Sequence, residues 1–106
     1  MKKLEFNMSV HGSDPIPTKA YPIVFTRQDR AWRFALHKSG REWIVSDPVS
    51  GKRVCRVSAT YKGVPVASGT LTIKQAMQAA LIDLDAIVDR MGFDIFAAVL
   101  DRQATA

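Results

Sequence analysis

A single cysteine, Cys55, and two histidines, His11 and His37, are all that this chain of 106 residues offers in thiol and imidazole chemistry. One thiol forms no intrachain disulfide and no cysteine-based zinc site. Cys55 alternates with Val57, Ala59 and Tyr61 and reads as a structural thiol on a strand's inner face. Long apolar runs are absent too: Ile95 to Leu100 falls far short of the ~20 residues that cross a bilayer. The N-terminus, Met1-Lys2-Lys3-Leu4-Glu5-Phe6-Asn7, has two lysines but no apolar signal-peptide core, so the expected location is the cytoplasm, away from membranes. Phosphate loops of the glycine-rich kind are excluded, because Ser50-Gly51-Lys52-Arg53 lacks the spacing and the following helix. Asp83, Asp85 and Asp89 are no metal cluster; only Asp85 and Asp89 are one helical turn apart, and a solvated helix face explains all three. His37 would need an orienting carboxylate to act as a general base, and only Glu42, across a hairpin, is at hand. The expectation is no catalytic residue, no metal and no cofactor.

What is present is globular: 47% apolar and 24% charged residues in a length that suits one domain. The net charge of +5 is unevenly spread. Residues 1–62 hold twelve lysines and arginines against five acids, and residues 63–106 hold three against five. A basic first half attracts phosphates or acidic protein surfaces.

The patterning predicts an α+β fold, an antiparallel meander of four to five strands with one face covered by a long C-terminal amphipathic helix, plus a short final helix. Residues 1–22, with Pro15, Pro17 and Pro22, read as an extended lead-in that includes an edge strand over 4–10, and residues 23–106 read as the single domain. From Ile23 the period is two, with turns at Arg27–Arg30, Lys38–Arg41, Asp47–Lys52 and Lys62–Pro65. This register puts Trp32, Phe34, Leu36, Trp43, Val45, Cys55, Val57, Ala59 and Tyr61 on the inner face. Arg33, His37, Arg56, Ser58, Thr60 and Lys62 fall on the other face, expected to be wet. At Thr72 the period becomes helical. Thr72 and Gln75 have capping-box spacing, Gly92 suits the helix end, and Ile73, Ala76, Ala80, Leu84, Ile87 and Met91 form the apolar stripe.

The segment from Arg56 to Thr72, with the helix after it, resembles the last strand–strand–helix section of a double-stranded-RNA-binding domain over about thirty residues, mainly through Gly69, Thr72, Ala76, Ala80 and their spacing. The resemblance is one of architecture. Of the three positions where that family grips phosphate at the helix start, only Lys74 fits, since Ile73 and Met77 occupy the others. The family's first helix has no counterpart either.

Three functional readings follow. In the first, the basic sheet face is a non-enzymatic binding surface for nucleic acid or for a nucleic-acid-handling complex, using Arg33, His37, Lys52, Arg53, Arg56, Ser58, Thr60 and Lys62. In the second, the chain is a small phage- or plasmid-type accessory or inhibitor, of the size and build of anti-CRISPR proteins, that works by protein–protein contact with an acidic surface. In the third it is a small ribonuclease toxin using His37. A further expectation concerns Phe93, Ile95, Phe96, Val99 and Leu100, more apolar surface than one side of a short helix buries. The segment either packs on a second copy as a two-fold dimer or folds back over the sheet edge beside Trp43. Sedimentation at micromolar concentration distinguishes a dimer from a strict monomer.

Overall fold

The computed structural model describes residues 4–8 and 16–105. Five strands form an antiparallel meander in chain order: β1 (Leu4–Met8), β2 (Ile16–Arg27), β3 (Arg30–Ser39), β4 (Glu42–Ser46) and β5 (Arg53–Arg56). A separate two-stranded ribbon follows, β6 (Ala59–Tyr61) and β7 (Val64–Val66), then a 3-10 turn at Ser68–Thr70 and the helices α1 (Ile73–Met91) and α2 (Phe93–Thr105). The fold is α+β, as the periodicity requires.

Local chemistry accounts for the hairpins. Gln28 and Asp29 are both left-handed, with φ of 50° and 63°, the geometry whose twist matches flanking strands in a two-residue turn. Gly40, with φ of 61°, takes the first central position of the β3–β4 turn, where glycine is favoured. At α1 the capping box forms in both directions: Gln75 N–H donates to Thr72 Oγ1 at 3.2 Å, and Thr72 N–H to Gln75 Oε1 at 3.0 Å. Gly92, with φ of 89°, ends that helix.

The inner face carries the main core. Ile23, Phe25, Phe34, Leu36, Trp43 and Val45 pack against Ala76, Ala80, Leu84 and Val88 of α1 and against Phe96 and Leu100 of α2. The buried row of α1 is 76-80-84-88; Ile73 and Met91 overhang it at the two ends and are exposed, and Ile87 is half-buried. The final helix folds back on its own chain, beside Trp32 and not beside Trp43. Phe93 lies 5.7 Å from the Trp32 ring, and Phe96 lies 5.3 Å from Trp32 and 5.8 Å from Phe25. Ile95 stays exposed. Two arginines flanking the β2–β3 turn pin the helices: Arg27 forks onto Asp85 at 3.2 Å and Asp89 at 2.6 Å, and Arg30 pairs with Asp101. Asp85 and Asp89 are therefore partners of the sheet, and their carboxylates hold the Arg27 pKa above its ordinary value.

The second face departs from the sequence reading. β2 begins at Ile16 and runs through Pro17 and Pro22, because proline excludes helix while its φ still fits extended backbone. Its second half, Tyr21–Arg27, pairs with β3, and its first half pairs with β1. The β1 ribbon crosses the back of the sheet, where Phe6, Met8 and Ala20 pack on Ala35. Ala35, His37, Ile44 and Ser46 are all buried there, so the centre of the supposedly wet face is dry. Of the expected lead-in, residues 1–3 and 9–15 lie outside the described residues.

The second correction concerns the run Arg53–Lys62. Its alternation reads as one strand, but the chain leaves the sheet after Val57, whose N–H donates to the Trp43 carbonyl at 2.9 Å. The next amide, Ser58 N–H, donates instead to Asp83 Oδ2 on α1 at 2.7 Å. The ribbon then projects, and the chain returns at Ser68, whose Oγ accepts the Trp43 N–H at 2.7 Å. Trp43 Nε1–H donates to the Leu71 carbonyl at 3.2 Å, and Gly69 N–H to the Arg41 carbonyl at 2.7 Å. Ala59 and Tyr61 are consequently outside the core, and the strand–strand section that resembles an RNA-binding domain is no part of the main sheet.

Gly69 is required by this closure. A Cβ there would lie 2.8 Å from the Arg41 carbonyl carbon and closer still to its oxygen. Gly69→Ala should therefore destabilise the fold by about 1–3 kcal/mol, the usual cost of overpacking against an element that cannot move aside. Urea unfolding of the two proteins measures it, with the midpoint lowered and the slope unchanged.

Candidate functional site

Among the described strands and α-helices, only those of the ribbon β6–β7 contribute no residue to either apolar cluster. Lys62 and Gly63 form its loop with φ of 52° and 80°, a two-residue turn that makes Tyr61 and Val64 the closing hydrogen-bonded pair. Register places Ala59, Tyr61, Val64 and Val66 on one face and Thr60 and Pro65 on the other. The first face is apolar and largely unpartnered, with Tyr61 65% and Val64 60% exposed. Lys62 Nζ stands 5.5 Å from the Tyr61 ring centre, a cation over the only large aromatic of the ribbon.

At its base the ribbon overhangs an open cleft of about 690 Å³ whose walls include Glu42, Arg56 and Ser58 together with Ala59, Thr60, Pro65 and Val66 of the ribbon itself. Arg56 and Glu42 meet across its mouth at 3.5 Å, an exposed contact of the kind worth ~0–1 kcal/mol and easily exchanged. Val57 anchors the floor in the core.

The eight residues that the sequence marks for binding do not share a surface. Arg56, Ser58 and Thr60 line this cleft, and Lys62 sits at the ribbon's tip. Arg33 is exposed in a different cleft, beside Trp32 and Val49. Lys52 and Arg53 are at the other end of β5, at a loop that already holds its own anion. Asp47 there accepts the Val49 N–H at 3.0 Å and the Ser50 hydroxyl at 3.0 Å, while the Gly51 N–H is bound to the Asp47 carbonyl at 2.8 Å. The amides of Asp47, Val49, Gly51 and Lys52 are thus already bonded within the loop.

His37 is a core residue and not a surface one. It is 3% exposed, its Nε2 lies 2.9 Å from Ser46 Oγ, and the Phe6 ring meets it edge-on at 5.2 Å. Glu42 is directed to Arg56 and supplies no orienting carboxylate. Cys55 is likewise shielded: burial, reinforced by Asp83, pushes its thiol up to about 11, so little thiolate exists at neutral pH.

The surface that sequence reasoning missed is the apolar face of the ribbon, because Tyr61 falls in register with the core residues Cys55 and Val57. The available signal was Pro65, which seldom sits inside a paired sheet, two residues after a Lys62-Gly63 turn. Compared with protein-family models, with curated proteins and with solved structures, the chain matches none.

Burial, with Arg53 nearby, holds the His37 pKa below its ordinary value of 6.5. An unfolded chain takes up this proton as pH falls below that value while the folded state resists it. The stability contributed by the neutral ring is thus complete above about pH 6.5 and is lost progressively on acidification. Thermal unfolding between about pH 8 and 5 should show a melting temperature that declines more steeply in the native protein than in His37→Gln.

Proposed function

We propose that this chain is a non-enzymatic binding module that docks on a protein partner through the β6–β7 ribbon, in the manner of a small accessory or inhibitor protein. The observation that carries the reading is the unpartnered face of Ala59, Tyr61, Val64 and Val66 on an element that projects from the sheet. Two strands alone are marginal in water, and an apolar face left open is the usual mark of an interaction surface. Tyr61 has the character of an interface anchor, a rigid ring with a polar end. Lys62 beside Tyr61 and Arg56 in the adjoining cleft supply positive charge next to the patch, which favours a partner with carboxylates around an apolar hollow.

The same tip supports nucleic acid as a second reading, since an exposed tyrosine beside a lysine is a stacking platform with a cation. The broad basic face of the sheet is less suited to that role, because its centre is buried under β1 and its arginines stand apart. A ribonuclease mechanism finds no support in His37, which is enclosed.

Capture from the native host, followed by reconstitution with the purified partner, tests the docking. Tyr61→Ser with Val64→Thr should weaken the reconstituted complex by about 30-fold or more, the effect of losing a ~2 kcal/mol anchor, with the melting temperature held. Arg33→Glu should leave affinity within about twofold, as surface charges outside an interface do. Tight binding of single-stranded RNA or duplex DNA with a steep salt dependence, lost in the Tyr61/Val64 pair, would instead establish the second reading.

A further inference from the structure

The backbone of the ribbon carries more information than its side chains. In a hairpin closed by the Tyr61–Val64 pair, the Thr60 and Pro65 peptide groups point outward along the two edges. Pro65 has no N–H, so the β7 edge is closed to strand pairing. The β6 edge is open, and Thr60 N–H has no partner among the described residues. At its inner end Ser58 N–H is capped by Asp83, which marks where pairing must stop.

We propose that the β6 edge takes an extended segment of the partner protein as a third strand, with apolar and acidic residues alternating along it. This rests on the docking reading above and states its mode. A third strand converts a marginal ribbon into the smallest sheet that is stable with an apolar face. Alternate side chains of the added segment lie beside Ala59 and Tyr61 and extend that face, which sets them as apolar. The others project on the Thr60 side toward Arg56, which sets them as acidic, because among the described residues the exposed Arg56 is paired only with Glu42, at 3.5 Å. Recognition is then divided in the way of strand addition generally: main chain for affinity, alternate side chains for choice.

Synthetic octapeptides test this directly, by fluorescence anisotropy and by amide shifts of the labelled protein. A peptide alternating valine and glutamate should bind and shift the Thr60 amide, and replacing glutamate by lysine should weaken it at least tenfold. Arg56→Glu should reverse that preference. N-methylation of the peptide at one parity of residues should abolish binding and at the other parity be tolerated, a signature of one-edge pairing that needs no protein variant. Thr60→Pro should abolish binding as well. No binding of the valine–glutamate peptide, equal binding of the lysine peptide, or indifference to N-methylation overturns the proposal. So does a peptide-free dimer broken by Thr60→Pro, which would make a second copy the occupant of the edge. If the peptides fail while Tyr61→Ser with Val64→Thr still weakens the reconstituted complex, docking stands without strand addition. If that pair is silent too, the docking reading itself falls.

Discussion

Trp43 is the residue on which the arrangement turns, because every polar group it owns is spent on a different part of the chain. Its carbonyl holds Val57 at the end of the main sheet, its amide holds Ser68 where the chain comes back, and its indole N–H holds Leu71 one residue before the cap of α1. Its ring is buried in the core and tilts against Tyr21 at 6.3 Å. A buried donor or acceptor without a partner costs about 1–3 kcal/mol, so these bonds are worth more as obligations than as attractions. They oblige residues 58–67 to leave the sheet and return within one strand's width. Gly69 permits the return, since no side chain fits between that turn and the Arg41 carbonyl.

The projecting ribbon is thus a consequence of closure elsewhere. Asp83 completes the departure by taking the Ser58 amide that would otherwise extend the strand. Asp85 and Asp89 perform a parallel service at the far end of the sheet through Arg27. The acidic stretch of α1 therefore works as a set of acceptors for a basic sheet, and the uneven charge of the two halves of the chain is partly internal complementarity. Among the described residues, the charge left unpaired for an outside partner is smaller than the composition suggests.

Much of the fold was legible because it rests on local chemistry. The period-two runs through Trp32, Phe34 and Leu36, the Thr72–Gln75 box and the Gly92 stop are each decided within a few residues, and the helix they bound is where they place it. The site was less legible. Arg56, Ser58, Thr60 and Lys62 do gather near one cleft and its overhanging ribbon, but His37 is enclosed, and Tyr61, assigned to the core, is exposed on the ribbon. Alternation says that residues take opposite sides; it does not say which side has something packed on it.

By itself, then, the sequence determined the class of fold, the order of strands before helix, the caps and turns, and the poverty of groups for metal or thiol chemistry. These depend on residue identity and on contacts a few positions apart. Tertiary structure alone decided that β1 lies across the back of the sheet and dries His37. It also decided that the chain parts from the sheet after Val57, and that a continuous alternating run is broken into a core strand and an outlying ribbon. Each of these depends on a partner far away in sequence, whether Phe6 for His37, Asp83 for Ser58 or Trp43 for Ser68. Such pairings follow from the shape of the whole packed chain and leave no periodic trace in the residues that make them.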